Sequence, residues 1–494
     1  MEGEKKKDLT FVHAAIGAAI CAIFWIIPPI APITEVGMRC VGGFLAMVYL
    51  WSAVGTLWPS IFGLFMISIS GIGVGDTGSA QFNNVWMTAV GTNTVLLTLF
   101  AMTLFGAVDE VGVTKYIARW LLTRKVYAGK PIAFLAVFYL CCFVLSTLVT
   151  PIAELIMLWP VAIRVVEVLE IKREDPIWKW FFVGMFLVST LGQPFFPFMG
   201  AQLIPLSAFA TMTQQMGMPM EVPMVQYMFM DLIMTAFVMA LYLVLIKLMR
   251  VDTSKFKAMD PKIIEEQMPL PAMNFQQKAF LYMIPLYLIA VLLPQFIKGN
   301  PVSDFLNMIS TLGITILFTL VMLVIKWNGK PLLDFQRVAY KQMNWGIFFM
   351  IAAAVYAAGT LSNKATGVTE FLMQTLTPIL GGQPEMIFIA LMFTVALVIT
   401  NFANNAAMAV VLMPVVINFS NQLGINPIPV AAGVVLMVFV AMLTPAASPH
   451  AGMMWGRRDL YTPKDILSIG LPMCAITLVS YIFVGYPLLK MIMG

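Results

Sequence analysis

Long apolar runs separated by short polar segments dominate this chain. Runs at 11–32, 38–57, 59–75, 92–110, 180–202, 225–246, 279–297, 304–325, 344–361, 429–455 and 466–489 each approach the ~20 residues of one helical membrane crossing. The alternating segments of about ten residues that a transmembrane barrel needs are not evident. Two further apolar segments, about 132–168 and 385–418, are too long for one crossing, and each is broken by a polar patch containing Pro or Asn. A re-entrant helical hairpin accounts for both, because non-helical backbone at membrane depth must line a polar cavity or lie buried in protein. The pattern therefore predicts an all-α polytopic membrane protein with about eleven transmembrane helices and two re-entrant hairpins.

Composition agrees with this. Of 494 residues, 60% are apolar and 11% charged, against the ~25% charged of soluble domains. Lipid, not water, is the solvent such a surface fits. The first apolar run has no small-residue cleavage site and reads as a first span, not a signal peptide.

Charge placement sets the expected orientation through the positive-inside rule. Lys5, Lys6 and Lys7 put the N-terminus in the cytoplasm. Lys115, Arg119, Arg124, Lys125 and Lys130 mark a cytoplasmic loop, as do Lys326, Lys330, Arg337 and Lys341, and then Arg457, Arg458 and Lys464. No Lys or Arg occurs from Trp180 to Ile246 or over 365–456, which places the intervening loops outside. Arg39 and Lys298 are mild exceptions. The expected protein is multi-pass in the cell membrane, with a cytoplasmic N-terminus and an external C-terminus. Residues 251–278, charged and proline-containing, form a cytoplasmic linker between two halves. The expected divisions are N-terminal scaffold helices over 1–91, a first repeat half over 92–250, scaffold helices over 279–343 and a second half over 344–494.

The halves repeat. GVTKYIARWL at Gly112 matches GVTEFLMQTL at Gly367, and Pro160 of WPVAI and Pro414 of MPVVI follow at nearly equal distances. With the charge map, the hairpins enter from opposite faces. This is an inverted repeat of the kind secondary transporters build around a midplane site. The offset sets Thr150 opposite Asn404, Pro151 opposite Asn405 and Glu154 opposite Met408. Helix N-termini at such turns offer free N–H groups to an anion, free carbonyls at C-termini suit a cation, and Asn can serve either. Thr400, Asn401, Asn404 and Asn405 around one turn favour a site over simple helix–helix bonding. The same offset pairs Ser189–Pro194 with Leu443–Ser448. A proline inside a packed helix costs about 3 kcal/mol. The paired recurrence reads as two unwound helices, each beside its own hairpin tip, with a Pro kink as the plain alternative.

TNFANNAAMAVVLMPV, AMLTPAASPHAGMMWG and YTPKDILSIGLP together resemble the C-terminal half of divalent-anion/sodium symporters of the ion transporter superfamily, carriers of di- and tricarboxylates or sulfate. The resemblance implies that each hairpin tip and the neighbouring helix break hold a sodium ion and one end of the substrate. The second Ser-Asn-Thr tip falls on Asn404, Asn405 and Ala406, with only Asn405 retained; the first falls on Thr150, Pro151 and Ile152; His450 stands where the family has Asn. The expected substrate-binding residues are Thr150, Pro151, Asn404, Asn405, Ala406, Ser448 and His450. Those for cation or proton coupling are Thr150, Glu154, Thr190, Gln193, Asn401, Asn405, Thr444 and Ala447, with sodium as the metal at these positions. The resemblance also implies a homodimer.

Glu154 is a carboxyl at membrane depth, where charge is costly and usually functional. It fits a cation ligand, a protonatable coupling group or a structural partner for a nearby donor. His450 fits a carboxylate donor, a titrating group or a structural histidine. Asp231 reads as packing or capping, and Asp109-Glu110 as charge at a span end. With two histidines, His13 and His450, far apart, and five cysteines without ligand spacing, an enzyme or structural metal site has no basis, and nothing points to nucleic acid. The glycines at 71–75 follow no strand and read as a loop. The expected function is secondary active transport of small organic anions, di- or tricarboxylates above all, with no cofactor, membrane lipid as surroundings, and sodium or a proton as coupling ion or exchange in its place. A cation:proton antiporter or metalloid-oxyanion permease is the alternative.

Overall fold

The computed structural model describes residues 9–494; the lysines at 5–7 lie outside the described residues. Each expected span has a helix under it. Among the described residues, eight helices are long and apolar enough to cross a bilayer, nine if the sharply bent pair Val368–Leu380 and Glu385–Thr400 is one span. Among the remaining expected spans, Thr10–Ile26 and Leu57–Ser68 are shorter helices. Those at 180–202 and 429–455 are broken, so Pro176–Gly192 and Pro427–Val438 are each too short alone. The described β-structure is one two-stranded ribbon, Lys326–Trp327 with Lys330–Pro331.

The repeat is structural. Gly112 and Gly367 both adopt the left-handed conformation, φ 76° and 68°, and open Val113–Leu122 and Val368–Leu380. A Cβ on Gly367 would lie 2.0 Å from the Pro32 carbonyl oxygen, so glycine is required by space as well as by φ. The hairpins follow: Pro131–Leu148 with Pro151–Val168, and Glu385–Thr400 with Asn405–Gln422. Both second arms have 18 residues with an internal proline, Pro160 and Pro414, at the same position. Thr150 and Asn404 are their N-caps, accepting from Ala153 N–H at 3.3 Å and Ala407 N–H at 3.2 Å. The expected correspondence of Thr150 with Asn404 thus holds at the level of backbone role.

Polar contacts define two ends of the molecule. At one, Arg119 donates to the Leu270 carbonyl, Lys255 pairs with Asp175, Arg337 and Lys341 pair with Glu110, and Arg173 donates to the Arg458 carbonyl. The Lys255 ammonium at 2.7 Å holds the Asp175 carboxyl below its ordinary range. The described basic clusters thus gather at this end. At the other, Lys490 pairs with Glu385, Asn426 donates to the Met493 carbonyl, and Thr34 donates to the Ala365 carbonyl. The last helix, Pro463–Met493, has 31 residues and runs roughly 45 Å from the first end to the second. The first hairpin has its foot, Lys130 and Glu170, at the basic end, and the second has Glu385 and Asn426 at the opposite end. The hairpins therefore enter from opposite sides.

A large buried core joins both hairpins, both broken helices and the last helix. A second core joins Asn93–Glu110 to Phe275–Phe296 and Pro301–Val324. The first hairpin tip sits where these two cores meet.

Candidate functional site

Two cavities adjoin at the hairpin tips. The larger, about 410 Å³, is lined by Asn404, Asn405 and Ala406 of the second tip, by Pro445–His450 of the second break, and by Trp51, Thr56 and Asn344. The smaller, about 140 Å³, is lined by residues 146–151 of the first tip, by Gln193 and residues 199–202 of the first break, and by Asp109 and Gln342. Gln193, Ala201 and Ile347 line both. Each tip thus shares a chamber with the break of its own half, and a common wall joins the chambers. Thr56 and Asn344 of the larger cavity, and Asp109 beside ion-paired Glu110 of the smaller, lie toward the basic end.

The second tip is built from amides. Thr400 Oγ1 lies 3.0 Å from Asn405 Oδ1 and 2.5 Å from the Val438 carbonyl. The one hydroxyl proton is shared between these two oxygens; Asn405 lines the cavity, and its NH₂ has no protein acceptor among the described residues. The cap at Asn404 likewise uses only its oxygen. Asn401 points the other way. Its oxygen accepts from the Met442 and Leu443 N–H groups at 3.1 and 2.8 Å, and its NH₂ reaches the Leu397 and Val440 carbonyls at 2.8 and 3.3 Å. Thr444 Oγ1 donates to the Asn401 carbonyl. These bonds pin the tip to the unwound segment 439–448, where backbone groups lack helical partners. Asn401→Ala strands several of them in a buried place, and we expect a loss of about 3 kcal/mol of stability, read as a lowered melting temperature that substrate does not restore.

His450 is the second residue of the helix Pro449–Gly456, capped by Ser448 Oγ accepting from Ala451 N–H at 3.1 Å. The imidazole is buried, packs on Phe186 with ring centroids 5.4 Å apart, and leaves Nε2 without a partner. His450 is also among the residues that line the larger cavity. Two helix N-termini, at Asn405 and Pro449, lie against the same chamber. Among the described residues, no Lys, Arg, Asp or Glu lines it.

The other expected residues divide. Thr150, Pro151, Gln193 and Ala447 line a cavity. Asn401 and Thr444 lie behind the second tip. Glu154 is buried outside both cavities, its Oε2 2.6 Å from Ser189 Oγ, with the Cys142 thiol alongside and Oε1 unpartnered. Thr190 is also buried outside them, its hydroxyl unpartnered. Ser189 and Thr190 are helical, because Pro176–Gly192 continues to Gly192 and the unwound segment is 193–202. The expected pairing of Ser189–Pro194 with Leu443–Ser448 is therefore corrected. The segments that break the two helices are 193–202 and 439–448, after helices of 17 and 12 residues.

Asp109 and Gln202 emerge only from the fold. Asp109 Oδ1 accepts from Thr114 Oγ1 at 3.2 Å and is the one carboxylate lining the smaller cavity. Gln202, which lines that cavity, donates from Nε2 to the Phe196 carbonyl at 2.6 Å, which fixes its amide and leaves a buried Oε1 unpartnered. Gln193 Oε1 is unpartnered too. The chamber is rich in acceptors that lack donors.

A family model described as a citrate transporter matches residues 12–438. The chain belongs to the citrate transporter family. That family is one of transporters, and the resemblance to anion carriers read from the second tip and break agrees with this match. Among curated relatives, the uncharacterized transporter YfbS of Escherichia coli is 27% identical over 140 residues, 28% of this chain and 22% of that protein. The uncharacterized transporter MJ0672 of Methanocaldococcus jannaschii is 23% identical over 215 residues, 43% of this chain and 46% of that protein. The chain thus matches less than half the length of either. Over the whole fold, it is similar to the Alcanivorax borkumensis YdaH transporter, TM-score 0.58 at 14% identity, covering 92% of this citrate-family chain and 98% of the other.

Proposed function

We propose that this protein carries di- or tricarboxylates such as citrate across the cell membrane, coupled to sodium, by alternating access between the two ends of the inverted repeat. The observation that carries this is the larger cavity. It offers hydrogen-bond donors and two helix N-termini, which suit carboxylates, yet no basic side chain. A polyanion in such a place needs a companion cation. The smaller chamber, with Asp109 and the free amide oxygens of Gln193 and Gln202, suits a metal ion better than a proton, since these oxygens lack donors. The volume of about 410 Å³ falls in the ~300–1,000 Å³ range of small-molecule sites. In this reading the basic end is cytoplasmic, the cavities face it, and the hairpins move together against the scaffold helices.

Uptake into proteoliposomes tests the reading. We expect labelled citrate or succinate to accumulate with an inward sodium gradient and to stop when choline replaces sodium. Uptake that ignores sodium and follows a pH gradient would assign the coupling to protons. No uptake of any carboxylate would remove the substrate class.

A further inference from the structure

A second buried polar site lies away from both tip cavities, on the long helix Met224–Leu248. Tyr227, Asp231 and Thr235 recur every fourth residue, so they line one face of that helix. All three are buried, at 0%, 1% and 3% exposure. Tyr227 Oη, Asp231 Oδ2 and Thr235 Oγ1 each lack a hydrogen-bond partner. Three neighbouring polar groups, two able to donate and one to accept, therefore stand unbonded in a buried stripe. Elsewhere in this molecule buried hydroxyls bond back to the preceding turn, as Thr213 and Thr477 do at 3.0 and 2.7 Å. Thr235 does not.

Facing the stripe is the last helix, at its one irregular turn. Tyr481–Gly485 is π-helical, with Tyr486 N–H bonded to the Tyr481 carbonyl five residues back. Such turns are rare and concentrate at functional sites. Tyr481 is buried and within electrostatic reach of Asp231, as is Tyr227. No Lys, Arg or His pairs with Asp231 among the described residues. The nearest charged group of the last helix, Lys490, is committed to Glu385 together with Tyr486. A carboxyl buried in this way, with no charge partner and no hydrogen bond, is costly unless something absent from the protein itself completes it.

The geometry points to a monovalent cation bound between Met224–Leu248 and the π turn, held by the Asp231 carboxylate and the hydroxyls of Tyr227 and Thr235. The donor set is all oxygen, which selects hard cations, and it carries one negative charge, which a single sodium ion neutralises. The site requires no substrate, and it stands whether or not the tip chamber of Asp109 binds sodium.

Counting bound ions tests it. Radioactive sodium is titrated onto the purified full-length protein, onto Asp231→Asn and onto Asp109→Asn, without carboxylate. Asp231→Asn should bind one fewer sodium ion per chain than the wild type. Asp109→Asn should retain the ion held here. Equal stoichiometry in Asp231→Asn and wild type overturns the site, and means that Asp231 is completed by a proton or water. Loss in Asp231→Asn with no change in Asp109→Asn keeps this site and refutes the tip-chamber sodium. Should Asp231→Asn not fold, Tyr227→Phe and Thr235→Val serve instead. Each should weaken sodium binding at this site about tenfold, and unchanged affinity in both overturns it equally.

Discussion

Asn405→Ala protein should reach the membrane, melt near the wild-type temperature and transport no carboxylate. The expectation follows from how Asn405 is held. Its oxygen lies 3.0 Å from Thr400 Oγ1, the residue lines the larger cavity, and its NH₂ has no protein partner among the described residues. Alanine removes a donor at the cavity but no backbone contact, and Thr400 keeps the Val438 carbonyl as acceptor. A hydrogen bond to a charged oxygen contributes about 2 kcal/mol, so carboxylate binding should weaken about 30-fold. Transport should fall further, because the residue opens the helix whose N-terminus lies against the cavity. Ligand-induced thermal shift and uptake, measured on the same preparation, separate the outcomes. Wild-type uptake by the variant would remove Asn405 from the site. A large drop in melting temperature without ligand would make it structural, as Asn401 is.

The contrast between Asn401 and Asn405 marks how far the sequence could be read. The hairpins were legible because glycines and prolines punctuate both halves at matching intervals, and because polar residues interrupt runs too long for one crossing. Gly112, Gly367, Pro160 and Pro414 do in space what their spacing implied. Which Asn of the second tip faces the chamber and which faces the neighbouring segment was not legible, since both are polar residues at one turn. The distinction depends on the unwound stretch 439–448 lying behind the tip, a contact across about forty residues of sequence. Register across the breaks was lost for a related reason: the offset fixed by the hairpins does not survive helices of unequal length. Glu154 stood out as a charge in an apolar run, yet its carboxyl meets Ser189 and lies outside both chambers. Asp109 read as charge at a span end, where a carboxylate is cheap. Only the fold brings the first tip down onto it.

Asp109→Asn should therefore uncouple the carrier. Asparagine keeps the size of the side chain and an oxygen that Thr114 can still reach, so the scaffold helix Asn93–Glu110 should stay in place. What disappears is the one negative charge lining the smaller cavity, whose other free groups are the amide oxygens of Gln193 and Gln202. Neutral oxygens alone ligate sodium far more weakly than a set containing a carboxylate. Half-maximal uptake should then require at least about tenfold more sodium, a change of about 1.4 kcal/mol, while binding of citrate at saturating sodium changes little. The neighbouring residue supplies the control. Glu110 is ion-paired with Lys341 and Arg337, and it lines neither chamber. Glu110→Gln removes a charge of the same sign one residue away and should leave the sodium dependence unchanged. If both variants shift it equally, the effect is a general field at the basic end and Asp109 is no ligand. If neither shifts it, the coupling cation binds elsewhere, and the Asp231 site becomes the first place to look.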